Sequence, residues 1–314
     1  MILRTTTHQK ICRLVVARFM TQKAVRVRDK MPSMCDIHPV DCVKGMKKFV
    51  VEGTVDVVVT SPPYNIGKKY NQYNDEHDEQ KFLGWMKVVS AEVKRVMKED
   101  GSLFLNLGGK PSDTFWPVRV LDCFRHDFKL QNSILWVKSI AIEGEDFGLE
   151  NNNKEGFSVG HYKPVNSDKY LNQMSEYIFH LTKQGNVPLD KLSIGVPYQD
   201  KSNVNRWCKG GGNVRDRGNV WFIPYETITK SRTHPCVFPL KLPKMCIKLH
   251  GLERTKLVMD PFLGTGTTAV ASKDLEKDFV GFEIDPYYVR LARRAVCKGT
   301  PSTKSKRTEI VKRE

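Results

Sequence analysis

A run of four residues, Ser61, Pro62, Pro63 and Tyr64, has the residue types of a binding or catalytic turn. It directly follows the apolar segment Val55–Thr60, which is typical of a buried strand. In an open α/β sheet, ligands bind at the carboxyl ends of the strands. Two consecutive prolines fix φ and remove two N–H donors, so the turn presents carbonyl oxygens, a hydroxyl and an aromatic ring. Such a turn suits an amine and a planar ring; an ordinary strand-ending proline turn is the alternative, but it leaves Ser61 and Tyr64 without a role.

A second group of residues, near the carboxyl end, has the pattern of a nucleotide-binding turn. A strand candidate leads into Asp260 and a turn that contains Gly264 and Gly266, and the next strand candidate contains Glu283. In this strand, turn, helix, strand pattern an acidic side chain binds ribose hydroxyls. The Gly-x-Gly-x-x-Ala spacing that starts at Gly264 also fits a dinucleotide fingerprint, so NAD is a rival ligand for this segment alone. The turn lacks the Gly-Lys-Ser/Thr ending of an ATP phosphate loop.

Together the two motifs resemble those of the N4-cytosine/N6-adenine DNA amino-methyltransferases. That family has a (Ser/Asp/Asn)-Pro-Pro-Tyr catalytic motif and a cofactor motif similar to Asp-Pro-Phe-x-Gly-x-Gly-Thr-Thr, which Asp260–Thr268 matches. The catalytic motif comes first in this chain, which is the order of the family's β group. The resemblance covers residues 36–295 and includes His234–Pro239, which is similar to the family's His-Pro-Ala-x-Phe-Pro segment. A valine precedes Asp41 where the family usually has glycine.

The resemblance implies S-adenosyl-L-methionine as cofactor and a Rossmann-like α/β methyltransferase sheet with circularly permuted motif order. By the family's pattern, Asp41 contacts the cofactor adenine, Glu283 contacts its ribose, and Phe238 closes the methionine side. The remaining residues of the cofactor motif shape the pocket: Asp260, Phe262, Gly264, Gly266 and Thr267. Two alternatives stay open, since Asp41 could instead be a turn or helix-cap acid and Phe238 a core aromatic.

The resemblance also implies methyl transfer to an exocyclic amine of a DNA base by direct displacement. Such an amine is a poor nucleophile, so positioning and electrostatics must do most of the work. We expect Ser61 and the carbonyl of Pro62 to accept hydrogen bonds from the amine, and Tyr64 to stack on a base flipped out of the helix. Asn65 is either a further contact or a turn residue. Serine as the first motif residue favours N4 of cytosine, with N6 of adenine as the alternative.

Other reactions and functions fit the sequence less well. Methylation of cytosine C5 requires a cysteine after proline, and Pro235-Cys236 is present, but this pair lies in the cofactor-side segment. A catalytically inactive nucleic-acid-binding module would not need the intact motif at Ser61 or the acid at Glu283. A nicotinamide-dependent dehydrogenase leaves Tyr64 unexplained. A methyltransferase of RNA or protein is closer in class, and the preference for DNA rests on the resemblance.

Alternating strand and helix patterns predict a parallel, doubly wound sheet. The predicted elements are strands at Val55–Thr60, Ser102–Leu107, Asn132–Val137, Ser175–Thr182, Leu257–Met259 and Phe279–Ile284, and a helix at Glu79–Lys98. Two long polar segments, Ala141–Asn172 and Gly185–Thr233, do not fit the alternation. We expect the second of them to be an inserted target-recognition region.

The net charge of +16 favours a polyanionic partner such as DNA. Much of the excess lies at the ends, since residues 1–28 contain seven basic residues and no acid. We therefore expect a basic extension at 1–30, a catalytic domain at 31–298 with the recognition region at 185–233, and a basic tail at 299–314. The candidate DNA contacts are Lys68, Lys69, Lys201, Arg206, Lys209, Arg215 and Arg217. A solvated basic face is the alternative for each of them.

The sequence points to neither a metal site nor a membrane. The eight cysteines are scattered and form no close Cys-x-x-Cys pair, and no apolar run approaches the roughly 20 residues that span a bilayer. The oligomeric state, monomer or homodimer, stays open. The basic ends favour a nuclear location if the source is eukaryotic and the bacterial cytoplasm otherwise, and the acid-free, arginine-rich start also resembles an organelle transit peptide.

Overall fold

The computed structural model describes residues 34–68, 70–143, 157–160, 164–198, 213–225 and 237–298. The predicted extension at 1–30 and tail at 299–314 lie outside these residues. No helix in the described part of the chain is both long enough and apolar enough to span a membrane.

The strands are β1 (Cys35–His38), β2 (Val55–Thr60), β3 (Met97–Leu107), β4 (Lys129–Val137), β5 (Ser139–Ile142), β6 (Phe157–Gly160), β7 (Ser175–Thr182), β8 (Val196–Pro197), β9 (Val214–Arg215), β10 (Val220–Phe222), β11 (Leu257–Asp260) and β12 (Asp278–Phe282). The helices are α1 (Cys42–Phe49), α2 (Glu79–Val96), α3 (Trp116–Asp122), α4 (Lys241–His250), α5 (Thr267–Asp274) and α6 (Pro286–Lys298). A 3₁₀ turn spans Lys191–Ile194.

Eight of the strands form one sheet in the order β1-β12-β11-β2-β3-β7-β4-β10. The order confirms an α/β sheet in which β2 and β11, the strands that precede the two motifs, are parallel neighbours. The predicted parallel sheet is confirmed for every neighbouring pair except the two that contain β7, which runs antiparallel to both β3 and β4. A parallel strand needs a long crossover, usually a helix. Between β4 and β7 the described residues instead form the antiparallel pair β5–β6, so the chain returns in the opposite direction.

The boundaries of two predicted elements shift in ways that matter for the site. The helix predicted to end at Lys98 ends at Val96, because Met97 already pairs with Val55 as the start of β3. The last strand ends at Phe282 rather than at Ile284, so that Glu283 is the first residue beyond it. This acid therefore lies at the carboxyl edge of the sheet, as the motif requires.

Helices cover both faces of the sheet, as the alternation of buried side chains along β2 dictates. Val58 packs in a core cluster with residues of α1, α2 and α3, such as Met46 and Met86. Its neighbours Val57 and Val59 point to the other face, into a cluster with residues of α4, α5 and α6. A strand buried on both faces in this way is typical of a doubly wound fold.

The region predicted to be an insertion at 185–233 is only partly described, and one part of it belongs to the main sheet. Strand β10 pairs with β4 in parallel, and its Trp221 is buried and donates from Nε1 to the Gly218 carbonyl at 3.0 Å. The small antiparallel pair of β8 and β9 lies outside the main sheet. The region therefore contains both an edge strand of the main sheet and a separate excursion.

Candidate active site

A cavity of about 1250 Å³ opens at the carboxyl edge of the sheet and brings the two sequence motifs together. The predicted site residues that line it are Asp41, Ser61, Pro62, Pro63, Tyr64, Lys68, Phe238, Asp260, Phe262, Gly264, Thr267 and Glu283. Gly266, Arg215 and Arg217 do not line it. The residues Lys69, Lys201, Arg206 and Lys209 lie outside the described part of the chain.

Asp260 joins the end of β2 to the glycine turn. Its carboxylate is fully buried and accepts hydrogen bonds from the hydroxyls of Thr60 and Thr268, both at 2.7 Å, and from the N–H of Phe262 at 3.0 Å. Burial raises the pKa of Asp260 to about 6, although these hydrogen bonds oppose the rise. The side chain therefore ties the strand that leads into Ser61 to the turn that contains Gly264 and Gly266.

The two glycines of the turn have different tasks. Gly264 adopts φ of 54° and donates its N–H to Oε2 of Glu283 at 2.9 Å, so it lies on the cavity wall. Gly266 adopts φ of 92° at the start of α5, and a Cβ there would lie 2.8 Å from the Cβ of Ala292 in α6. The requirement for glycine at Gly266 thus comes from close helix packing, and the residue does not line the cavity.

Glu283 presents a carboxylate that is fixed by the backbone. Its Oε1 accepts from the N–H of Asp285 at 2.9 Å, and its Oε2 accepts from Gly264. Burial raises the pKa of Glu283 to about 7, and the two backbone N–H groups oppose the rise. Each carboxylate oxygen has a second lone pair, so the group can also accept from hydroxyls of a ligand in the cavity.

Asp41 is a helix cap that also lies on the cavity wall. It is the N-cap of α1 and accepts from the N–H of Lys44 at 3.0 Å, and it also lines the cavity. Phe238 lines the cavity as well and packs against the core cluster of α4 to α6. The cap and core alternatives for these residues are therefore compatible with a place in the site.

Aromatic rings line the cavity wall beside Phe262. Trp85 of α2 makes an edge-on contact with Phe262, with ring centroids 5.5 Å apart, and Tyr73 lies 6.2 Å from Trp85. The buried Oη of Tyr73 has no hydrogen-bond partner within the described residues. Sequence reasoning missed both: Trp85 because an aromatic residue at helical spacing is usually a core residue, and Tyr73 because it lies in a loop outside either motif. A flat apolar ligand with a polar edge would fit this wall.

The cavity wall also contains a chain of hydrogen bonds that starts at Ser61. Ser61 Oγ lies 3.0 Å from Tyr64 Oη, which lies 3.1 Å from Glu176 Oε2. Glu176 Oε1 forms an ion pair with Lys138 Nζ at 2.7 Å, and Asn106 Nδ2 donates to Glu176 Oε2 at 3.0 Å. The motif at Ser61 is therefore connected to three polar residues at the ends of β3, β4 and β7.

Sequence reasoning missed Asn106, Lys138 and Glu176, although a signal was present. Asn106 lies near the carboxyl end of β3, and Lys138 directly follows β4. Glu176 lies at the amino end of β7, which is at the carboxyl edge of the sheet only because β7 is antiparallel. A parallel β7, as predicted, would have placed Glu176 at the opposite edge.

Hydrogen bonds made by the side chains of Asn65 and Asp75 join the two ends of the loop that follows Tyr64. Asp75 accepts from the N–H groups of Asn65, Ile66 and Lys68 at 2.9 to 3.1 Å. The Asn65 side chain donates to the His77 carbonyl at 2.9 Å and accepts from the His77 N–H at 2.7 Å. With φ of 52°, Asn65 is a turn residue, and the closed loop holds Lys68 at the cavity.

The two described arginines among the predicted DNA contacts differ. Arg217 is partly buried and donates from Nε to the Ile194 carbonyl at 2.9 Å. That bond fixes the 3₁₀ turn against the loop before β10, so this arginine has a structural role. Arg215 is exposed at β9, and its contact with DNA stays a prediction. No cluster of three or more metal-ligating side chains occurs within the ranges that the structure describes.

Comparison with known proteins identifies a family and individual relatives of this chain. The sequence profile of the DNA methylase family of N6 and N4 methyltransferases matches residues 55–294. The type II methyltransferase M.BglII of Bacillus subtilis is 28% identical over 269 residues, which are 80% of this chain and 66% of that protein. The DNA adenine methyltransferase YhdJ of Escherichia coli is 26% identical over 256 residues, 81% of this chain and 80% of that protein.

Solved structures show the same fold. The PvuII DNA methyltransferase, which is cytosine-N4-specific, superposes with a TM-score of 0.57 at 17% identity and covers 84% of this chain and 88% of its own. TTHA0409 of Thermus thermophilus, solved with S-adenosyl-L-methionine, has a TM-score of 0.53 at 22% identity, covering 86% of this chain and 96% of its own. The two sequence relatives named above are bacterial, so they do not support the nuclear location that the basic ends favoured. The family profile covers most of the chain, and the protein is therefore a member of the N6/N4 DNA methylase family, whose cofactor is S-adenosyl-L-methionine.

Proposed function

We propose that this DNA methyltransferase modifies the exocyclic N4 amine of cytosine. The observation that carries the proposal is the pair of Ser61 and Tyr64, hydrogen-bonded at 3.0 Å in a cavity whose other wall is the glycine turn of the cofactor motif. Serine as the first motif residue favours cytosine over adenine. N6 of adenine is the alternative, since relatives of both specificities are found: the PvuII enzyme is cytosine-N4-specific, and YhdJ is an adenine methyltransferase.

The residues of the cavity fit S-adenosyl-L-methionine. The aromatic wall of Phe262, Trp85 and Tyr73 suits a purine, and the buried Oη of Tyr73 lacks a partner in the described residues. We assign Glu283 to the ribose hydroxyls, Asp41 to the adenine end, and Phe238 to the methionine end. When bound, this cofactor supplies a methyl group on a positively charged sulfur: attack of the amine nitrogen on the methyl carbon releases the sulfur as a neutral thioether, and the nitrogen then loses a proton.

The catalytic turn holds the target amine. Ser61 Oγ and the carbonyl of Pro62 accept its two N–H hydrogens, which draws the nitrogen toward tetrahedral geometry and localises its lone pair for attack on the methyl group. The ring of Tyr64 stacks on the flipped base. The main contribution of the protein to the rate is rigid placement of the amine. Pro62 and Pro63 fix the turn, and Asp260 ties β2, which leads into that turn, to the turn that contains Gly264.

The cysteines described in the structure do not suit C5 chemistry. Cys42 lines the cavity, but it follows Asp41 at the cofactor end, and burial raises the pKa of its thiol strongly. The Ser61 end of the cavity offers hydroxyl, amide and carboxylate groups instead. Cys236 lies outside the described residues.

DNA would approach the mouth of the cavity, where Lys68 and Tyr70 lie on the wall. We propose that the predicted contacts at Lys69, Lys201, Arg206, Lys209 and Arg215 meet phosphates or base edges. Arg217 stays in this set as a proposal: its Nε donates to a backbone carbonyl, and the other N–H groups of the guanidinium are further donors. The bacterial cytoplasm, where the DNA of such relatives lies, is the proposed location.

The proposal is tested by transfer of a tritiated methyl group from S-adenosylmethionine to double-stranded DNA, with an RNA duplex of the same sequence in parallel. We expect label in DNA and a loss of at least about 100-fold in the Ser61→Ala, Tyr64→Ala double variant, since positioning and hydrogen bonding are both removed. Label in RNA and not in DNA would refute the assignment of substrate. Unchanged activity of the double variant would refute the assignment of the site.

A further inference from the structure

A serine hydroxyl is an ambiguous group for the reaction proposed above. It can donate or accept hydrogen bonds, whereas aspartate, which occupies the first motif position in other members of the family, only accepts when ionised. A donor pointed at the target amine would compete for the nitrogen lone pair that must attack the methyl group. An enzyme with Ser61 therefore needs a way to direct the hydroxyl hydrogen away from the substrate.

The hydrogen-bond chain in the cavity provides that direction. Tyr64 Oη lies 3.1 Å from Glu176 Oε2, and the two oxygens of Asn106 lie at 3.4 and 3.5 Å from it. These three oxygens only accept, so the single hydrogen of Tyr64 is committed to them, with the carboxylate closest. Tyr64 Oη then receives the hydrogen of Ser61, at 3.0 Å. Both remaining lone pairs of Ser61 Oγ are left to accept from an amine.

The position of Glu176 is fixed by two donors. Lys138 binds the far oxygen, Oε1, at 2.7 Å, and both side chains of this pair are largely buried, with exposures of 11% and 14%. Asn106 donates to the near oxygen, Oε2, at 3.0 Å. The same amide nitrogen donates to the Tyr177 carbonyl at 3.1 Å, which orients the Asn106 oxygen toward Tyr64. The carboxylate is thus held with one oxygen on Lys138 and the other on Tyr64.

We propose that Glu176 is a positioning residue that sets the direction of the chain, so that Ser61 acts only as a hydrogen-bond acceptor for the target amine. The inference rests on the proposed function, because it concerns the same site and the same amine. Glu176 acts through Tyr64 and does not need to touch the substrate. Lys138 supports it by supplying the charge that this buried carboxylate requires.

The substitution Glu176→Gln keeps the shape and reverses the hydrogen bonding. Lys138 is charged and only donates, so it would take the amide oxygen and turn the amide NH₂ toward Tyr64. The amide of Asn106, which donates to this oxygen of Glu176, would have to turn and present its oxygen to the new NH₂. Tyr64 would then accept from that NH₂, and the acceptors left for its own hydrogen are the Asn106 oxygens at 3.4 and 3.5 Å and Ser61 Oγ at 3.0 Å. Ser61 is the nearest of them, and once it accepts from Tyr64 its own hydrogen points to the substrate. We expect kcat to fall by about 100-fold, the size of effect seen when one hydrogen bond to a reacting centre is lost. The Kd for the cofactor by calorimetry and for DNA by fluorescence anisotropy should change less than about threefold.

The substitution Glu176→Asp separates charge from shape. Aspartate is shorter but still only accepts, so we expect it to retain at least about ten times the kcat of Glu176→Gln. A role in packing predicts the opposite order, because glutamine has the shape of glutamate. Glu99→Gln is the matched control, since Glu99 forms an ion pair with Lys183 at 2.8 Å but is 72% exposed and does not line the cavity.

A double-mutant cycle with Tyr64→Phe tests whether Glu176 acts through the tyrosine. Once the hydroxyl of Tyr64 is removed, Glu176→Gln should cost less than about threefold in single-turnover rate. A loss of about 100-fold in both backgrounds, or a more active Gln than Asp variant, would overturn the inference while leaving the proposed function intact. A wild-type protein that methylates no DNA under these conditions would overturn the proposed function and this inference with it.

Discussion

Replacement of Gly266 by alanine should lower the free energy of unfolding for two reasons, backbone strain and a steric clash with α6. The residue has φ of 92°, and a left-handed conformation costs a residue with a side chain about 1–2 kcal/mol. The new Cβ would lie 2.8 Å from the Cβ and 2.9 Å from the Cα of Ala292, so α5 and α6 must separate. Overpacking of this kind costs about 1–3 kcal/mol. We expect a total loss of about 2–5 kcal/mol.

Gly53→Ala is the matched control, because Gly53 has φ of 65° and no other atom lies within 4 Å of the position that a Cβ would take there. It should lose only about 1 kcal/mol, the strain alone. The free energies of unfolding of the wild type and both variants are measured by urea denaturation at pH 7. Equal losses in the two variants would refute the claim that Gly266 is required for the packing of α5 against α6.

Three further predictions follow from buried polar groups. Asp260→Ala should cost about 3–5 kcal/mol in unfolding free energy, because three buried donors lose their acceptor; a loss under about 1 kcal/mol in urea denaturation would contradict this role. Burial lowers the pKa of His180 to about 3 and of His250 to about 4. Because the histidines of the unfolded chain take up protons at a higher pH than those of the folded chain, the free energy of unfolding should fall as the pH drops from about 6.5 toward 4. A charged imidazole signal from either residue at pH 6 in a nuclear magnetic resonance titration would contradict these lowered pKa values. Tyr73→Phe should leave the stability of the protein without cofactor unchanged or raise it by up to about 1 kcal/mol, since the buried hydroxyl has no partner in the described residues; a fall of more than about 1 kcal/mol in the same assay would show that it has one.

The sequence predicts those parts of the site that lie next to their strands along the chain. Four of the six residues of Val55–Thr60 are valine, so its burial on both faces and its carboxyl end are visible without a structure. Ser61 and Tyr64 follow directly, and their place at the sheet edge is confirmed. The same holds for Asp260 and the glycine turn, because the loop is short and its strand is apolar.

Where the sequence does not predict the placement of a residue, that placement depends on strand direction or on contacts between distant segments of the chain. Strand β7 is predicted with its observed bounds, but an apolar run has no direction, and Glu176 reaches the site only because β7 is antiparallel. Arg217 has the charge of a DNA contact, yet its partner is the carbonyl of Ile194, 23 residues earlier in the chain. Neither fact can be derived from local pattern, because each is decided by which segments meet in the fold.

The most direct test of the central claim is mass spectrometry of nucleosides from DNA incubated with the protein and S-adenosylmethionine, with Ser61→Ala in parallel. The account predicts N4-methylcytosine in the wild-type sample and a loss of at least about 100-fold in the variant. N6-methyladenine in place of N4-methylcytosine would contradict the assignment of the target base. DNA without any methylated amine, at enzyme concentrations where the cofactor binds, would contradict the account as a whole.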